Sequence, residues 1–159
     1  SRYSRCVVPY SEALRFLPEY LQQLEMESLG KPGINFAAVY GGMGVESQHS
    51  FFQYLHNAEQ KPMVEFVVTD ENPNADVAKA QIAALVQNGT PCQLIVLREA
   101  FWSFGALLAQ YEYKVMRLAY LFNVNAYDQP AVELGKEIMR NFENGTCDDP
   151  IIEQLNKFI

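Results

Sequence analysis

Met63-Val64-Glu65-Phe66-Val67-Val68-Thr69 reads as a strand whose apolar residues do not alternate with polar ones, since Val64, Phe66, Val67 and Val68 run almost without interruption. A half-exposed strand would alternate, whereas a strand covered on both faces reads this way, as in parallel sheets flanked by helices. Working outward, Asn72-Pro73-Asn74-Ala75-Asp76 forms a turn into a helix over about 76–87, closed by Asn88-Gly89, and Gln93 to Leu97 is the next apolar strand. Upstream, Ile34 to Tyr40 is a β-type run stopped by Gly41-Gly42 and followed by a helix from Ser47 to about Asn57. Before it, Leu14, Leu17, Leu21 and Leu24 recur at helical spacing behind Ser11 as N-cap, which predicts a helix over about 11–28, ended by Gly30, Pro32 and Gly33. Beyond the last strand the chain reads as helix over 101–123, 129–143 and Pro150 to Phe158. The alternation βαβαβα implies right-handed crossovers and a doubly wound α/β fold with helices on both faces of a mainly parallel sheet. Ligands of such sheets bind beyond the carboxyl ends of the strands, where Gly41 to Gln48 and Asp70 to Asp76 fall.

The 159 residues, 49% hydrophobic, suffice for one domain with a real core. Twelve basic against nineteen acidic residues give a net charge of −7 with no basic run, which argues against nucleic acid and against an anionic membrane surface as partners. Cys6, Cys92 and Cys147 are odd in number and lack metal-ligand spacing, so reduced thiols of a cytoplasmic protein are expected. No charged-then-apolar leader is seen, and Glu112, Lys114 and Arg117 interrupt the longest apolar stretch, Phe101 to Val124. That stretch reads as a buried helix and not as a membrane span.

Three stretches carry chemistry. In Tyr127-Asp128-Gln129-Pro130-Ala131-Val132-Glu133-Leu134-Gly135-Lys136, a helix opening on Asp-Gln-Pro puts the Gln129 amide and the Lys136 ammonium seven residues apart on one face. Gln22-Gln23-Leu24-Glu25-Met26-Glu27-Ser28-Leu29-Gly30-Lys31 offers a carboxylate, and Glu46-Ser47-Gln48-His49-Ser50-Phe51-Phe52-Gln53 an imidazole. With Phe104-Gly105-Ala106-Leu107-Leu108 and Tyr111-Glu112, these stretches resemble, in order, the carboxy-terminal part of the phosphoglucose isomerase (glucose-6-phosphate isomerase) family. The resemblance implies a three-layer α/β/α sandwich of the sugar isomerase (SIS) type over 1–159, with the helices after about 101 packed around the sheet. It also implies that the family's amino-terminal phosphate-binding half lies outside this chain.

The resemblance implies aldose-ketose exchange between glucose 6-phosphate and fructose 6-phosphate, in glycolysis and gluconeogenesis, without cofactor or metal. Glu27 matches the base that carries a proton between C1 and C2 through a cis-enediol, and Gln23, four residues earlier, matches a position that contacts substrate. His49 and Lys136 match the ring-opening pair, with His49 given across a homodimer interface to the neighbour's site, and Gln129 matches a phosphate-binding position. Each has a plainer reading from the residues alone. Glu27 and Gln23 suit an exposed helix face, His49 a polar cap near a helix start, and Lys136 a surface ion pair with Glu133. Asp128 reads as an N-cap outside the site. His56, seven residues after His49, takes no role, and two histidines without a third ligand are a weak metal signal.

The chain departs from the family where Gly-Thr-Asn-Gly-Gln-His becomes Gly44-Val45-Glu46-Ser47-Gln48-His49, which puts a carboxylate beside a phosphate-handling loop. His56-Asn57-Ala58-Glu59 replaces His-Gln-Gly-Thr, Tyr127 replaces Phe, and the link between the strands at 63–69 and 93–97 is short. Without its other half the fragment is expected to be inactive. A non-catalytic sugar-phosphate-binding domain for sensing or assembly, and a doubly wound domain with an unrelated ligand, are the competing readings.

Overall fold

The computed structural model describes residues 4–147 and 149–158. It contains four strands, β1 Arg5–Pro9, β2 Val39–Gly41, β3 Met63–Thr69 and β4 Cys92–Leu97, all parallel and ordered β2-β1-β3-β4. The register sets Arg5 beside Val39 and Met63, and Val64 beside Cys92. Arg5, Val39, Met63 and Cys92 therefore mark the amino edge of the sheet, and Pro9, Gly41, Thr69 and Leu97 its carboxyl edge. The predicted parallel α/β architecture is present, and β3 is buried from Val64 to Val68 on both faces.

Helices cover both faces. On one side Cys6, Val8, Tyr10, Val64, Phe66 and Val68 pack with Phe52 and Leu55 of α3 (Phe52–Asn57) and with Ala78 and Leu85 of α4 (Ala75–Gln87). On the other, Val7, Val39, Val67 and Leu97 pack with Leu17 and Leu21 of α1 (Leu17–Gln22) and with Leu107 and Tyr111 of α5 (Ala100–Phe122). A third apolar group joins Leu29 to Val115, Ala119 and Ala126.

Several expectations are corrected. β1 was not foreseen, because Arg5-Cys6-Val7-Val8-Pro9 is short and ends in proline. The run from Ile34 is a strand only at Val39–Gly41. Its earlier residues lie before the register of Arg5, whose amide already donates to the Ala38 carbonyl. The single helix over 11–28 is a 3-10 turn at Glu12–Leu14, α1, and a π-helical segment at Gln23–Glu27, and the Ser11 side chain makes no capping bond. The helix expected from Ser47 splits into α2 (Gly44–Ser47) and α3. α5 is buried along one stripe only, and Phe101, Trp102 and Tyr120 are exposed.

The chain forms two compact units, 1–126 and 127–159. The second unit holds α6 (Pro130–Glu143) and α7 (Pro150–Leu155). Asp149 caps α7 by accepting the Ile151 amide at 2.8 Å. At the start of α6 the N-cap is Gln129 and not Asp128. No helix among the described residues is long and apolar enough to cross a membrane.

Candidate active site

Leu21, Glu25 and Leu29 are each at most 1% exposed and follow one another at four-residue spacing. In an α-helix, four residues overshoot a turn by about 40°, so such a row would drift off the core. A π-helical turn holds more residues per turn and brings it back, which keeps all three on one line. Gln23 and Glu27, spaced the same way but half a turn from Glu25, then face outward, Gln23 exposed and Glu27 half-buried. Gly30 closes the segment by donating its amide to the Met26 carbonyl at 2.9 Å. A β-carbon there would stand 2.4 Å from that oxygen, so glycine is required.

Beneath this segment lies a cluster of charges. Glu25 Oε1 accepts from Arg5 Nη2 and from Lys114 Nζ, both at 2.6 Å. Arg5 Nη1 also reaches Glu65 Oε2 at 3.5 Å, and the Tyr111 hydroxyl donates to Glu65 Oε1. Arg5 and Lys114 stand 5.2 and 5.3 Å from the Tyr111 ring centroid. Two cations balance two carboxylates, as a buried cluster requires. Burial, and then the neighbouring Arg5, hold the Lys114 ammonium below its ordinary pKa, while burial and Glu65 push the Tyr111 phenol upward. Since Arg5 begins β1, Glu25 and its segment lie at the amino edge of the sheet.

His49 belongs to the other edge. The Gly42 amide donates to the Val7 carbonyl at 3.2 Å, and Gly44 packs so closely on Tyr10 that a β-carbon would stand 2.2 Å from the ring. Ser47 is buried, and His49 follows in an exposed turn between α2 and α3, its amide 3.3 Å from the Glu46 carbonyl. Arg15, just after the 3-10 turn Glu12–Leu14, holds this loop by bonds of 2.6 and 3.2 Å to Glu46, whose carboxyl it keeps below the usual range. Arg15 also binds Glu12, so one guanidinium is shared by two carboxylates and the charge that departs from the family pattern is offset only in part.

Along a five-residue strand the two edges are about 13 Å apart. The fold brings Gln23 and Glu27 together but sets His49 at the opposite edge of the sheet. Gln129 and Lys136 stand in the second unit, Gln129 at the start of α6 and Lys136 two turns on, about 10 Å along the axis. Lys136 donates to Glu133 Oε1 at 2.7 Å and lowers its pKa. With Glu133, Met139 and Arg140 it lines an open depression of about 710 Å³. A further cavity of about 790 Å³ opens at the amino edge between Lys61, Met63, Gly89 and Pro91, and none of the expected site residues lines it. Among the described residues no three His, Cys, Asp or Glu side chains gather as a metal set.

The phosphoglucose isomerase family model matches residues 2–88 and 68–157, together nearly the whole chain. The chain belongs to the phosphoglucose isomerase family. It is 38% identical over 187 residues to a glucose-6-phosphate isomerase of Sphingopyxis alaskensis, covering 97% of this chain and 37% of that protein. A glucose-6-phosphate isomerase of Borreliella burgdorferi is 34% identical over 194 residues, with 98% and 37% covered. The crystal structure of a glucose-6-phosphate isomerase from Chlamydia trachomatis superposes with a TM-score of 0.78 at 25% identity, over 99% of this chain and 38% of that one. The chain therefore spans little more than a third of these phosphoglucose isomerases. Their matched stretches are longer than its 159 residues, and the two parts of the family match overlap over 68–88. The overlap runs from the end of β3 through α4.

Sequence reasoning missed Arg5, Glu25, Glu65, Tyr111 and Lys114 as a group. One signal was available: Glu65 interrupts an apolar strand covered on both faces, and a carboxylate there needs a buried partner.

Proposed function

We propose that this chain is the carboxy-terminal sugar isomerase domain of a longer cytoplasmic enzyme that interconverts glucose 6-phosphate and fructose 6-phosphate, without a cofactor. Glu27 takes the proton from C2 of the aldose and returns it to C1 through a cis-enediol, and Gln23 binds sugar hydroxyls beside it. Ring opening falls to His49 and Lys136, and Gln129 helps hold the phosphate. The observation that carries this reading is that Gln23 and Glu27 share the outward face of one segment in a chain that matches isomerases end to end. The distance between the two sheet edges supports a homodimer in which His49 serves the neighbouring subunit's Glu27.

The test is a coupled assay of fructose 6-phosphate conversion with the longer polypeptide, this chain alone, and Glu27→Gln in the longer polypeptide. Loss of a general base lowers kcat by about 10²- to 10⁴-fold, and the chain alone is expected to show no turnover. The replaced loop at Val45-Glu46-Ser47 favours the competing sugar-phosphate sensor. A sensor would bind fructose 6-phosphate equally well with Glu27→Gln and turn over with neither.

A further inference from the structure

We propose that Glu25, clamped between Arg5 and Lys114, is a positioning residue that sets where Gln23 and Glu27 stand. This rests on the reading of Glu27 as the base. Glu25 sits at the centre of the π-helical segment with 1% exposure, half a turn from both outward residues. One of its oxygens receives Arg5 from the start of β1 and Lys114 from α5, each at 2.6 Å, so three elements meet on a single atom. Leu21 and Leu29 in the same row are held by apolar contact, which is non-directional and lets a helix slide or rotate by tenths of an ångström. Charge-assisted hydrogen bonds fix both distance and angle. Arg5 is itself braced by Glu65, which Tyr111 holds in turn, so the clamp is anchored in the central strand of the sheet. The π-helical turn keeps a backbone ladder of i→i+5 bonds, and the bonds on Glu25 tie that turn to β1 and α5.

The test measures kcat, KM for fructose 6-phosphate and the thermal midpoint of the longer polypeptide carrying Glu25→Gln, Lys114→Met, Lys114→Arg, Leu85→Val or Glu27→Gln. A displacement of the base by about 1 Å costs up to about 100-fold in rate, so Glu25→Gln and Lys114→Met are expected to lower kcat about tenfold or more. KM should stay within about twofold, because the substrate contacts remain. Lys114→Arg, which keeps the bond, should restore most of the rate. Leu85→Val, in the core on the other face of the sheet and outside the clamp, should lower the thermal midpoint and leave kcat unchanged. Should Glu25→Gln fail to fold, Lys114→Met decides alone, since Lys114 is 38% exposed and its loss leaves Arg5 on Glu25. Unchanged kcat in Lys114→Met, or kcat falling in step with the thermal midpoint in all variants including Leu85→Val, overturns the proposal. Full turnover in Glu27→Gln removes the base assignment itself, and the proposal with it.

Discussion

Cys6 lies in β1 with no solvent exposure, and burial pushes its thiol up from 9.0 to about 12. Below pH 9 the folded and unfolded chains both hold this proton. Between 9 and 12 the unfolded thiol ionises while the folded one does not, so the folded state binds more protons. Stability therefore falls as pH rises, by about 1.4 kcal/mol per unit for this group. Tyr10, raised by burial from 10.0 to about 12, adds a loss of the same sign above pH 10. Cys6 alone should contribute about 2 kcal/mol to the stability lost in urea unfolding between pH 8.5 and 10.5, and Cys6→Ala should remove that share and leave the part due to the raised Tyr10, Tyr40, Tyr111 and Cys92. An unchanged slope in Cys6→Ala would refute the assignment. Gly44 makes the second residue-scale case. Its replacement by alanine drives a methyl group into the Tyr10 ring and should cost about 1–3 kcal/mol, as overpacking does, and it should move the loop that presents His49. The chemical shifts of the His49 ring, compared between Gly44→Ala and the parent, check the second effect. At this scale the sequence named Glu27, Gln23 and His49, but it did not show that the neighbouring Glu25 points the opposite way. Outward and inward residues two positions apart look alike until the period of the helix is known.

Strand β4 is the exposed edge of the sheet, and its Leu94 and Val96 are 49% and 47% exposed. They share a face with Phe66 and Val68, their partners in register, yet α4 leaves them about half exposed. The short crossover between β3 and β4 supplies one helix for that face. Leu94→Thr and Val96→Thr should therefore change unfolding free energy by only about 0.5 kcal/mol each, whereas Phe66→Ala should cost about 3–5 kcal/mol. Equal losses at the three positions, measured by urea denaturation, would show that β4 is covered. Strand β3 was legible because a two-sided apolar run has no other stable home. β1 was not, because five residues bounded by an arginine and a proline gain strand character only by pairing on both sides with β2 and β3. The π-helical segment was equally hidden. Its cause is a buried row at four-residue spacing that includes a charged residue, and no local propensity encodes that.

In the whole molecule, 1–126 carries the sheet and the buried core, while neither α6 nor α7 buries any residue described in it. Isolated helices of this length are marginal in water without a packed face. A polypeptide ending at Ala126 should accordingly keep a cooperative thermal transition, and a peptide of 127–159 should show little helix by circular dichroism. A folded 127–159 peptide, or a non-cooperative 1–126, would contradict that division. The sequence by itself determined the alternation of strands and helices, the parallel α/β class and the family, because these rest on local periodicity and on motifs read in order. It also supplied the residues of the candidate site. Only the tertiary structure decided that Glu27 and His49 stand at opposite edges of one sheet, and that Glu25 is gripped by Arg5 and Lys114. Those contacts join residues 20 and 89 positions apart, and the brace to Glu65 spans 60. Chain folding alone closes such distances, so no window of local sequence contains them.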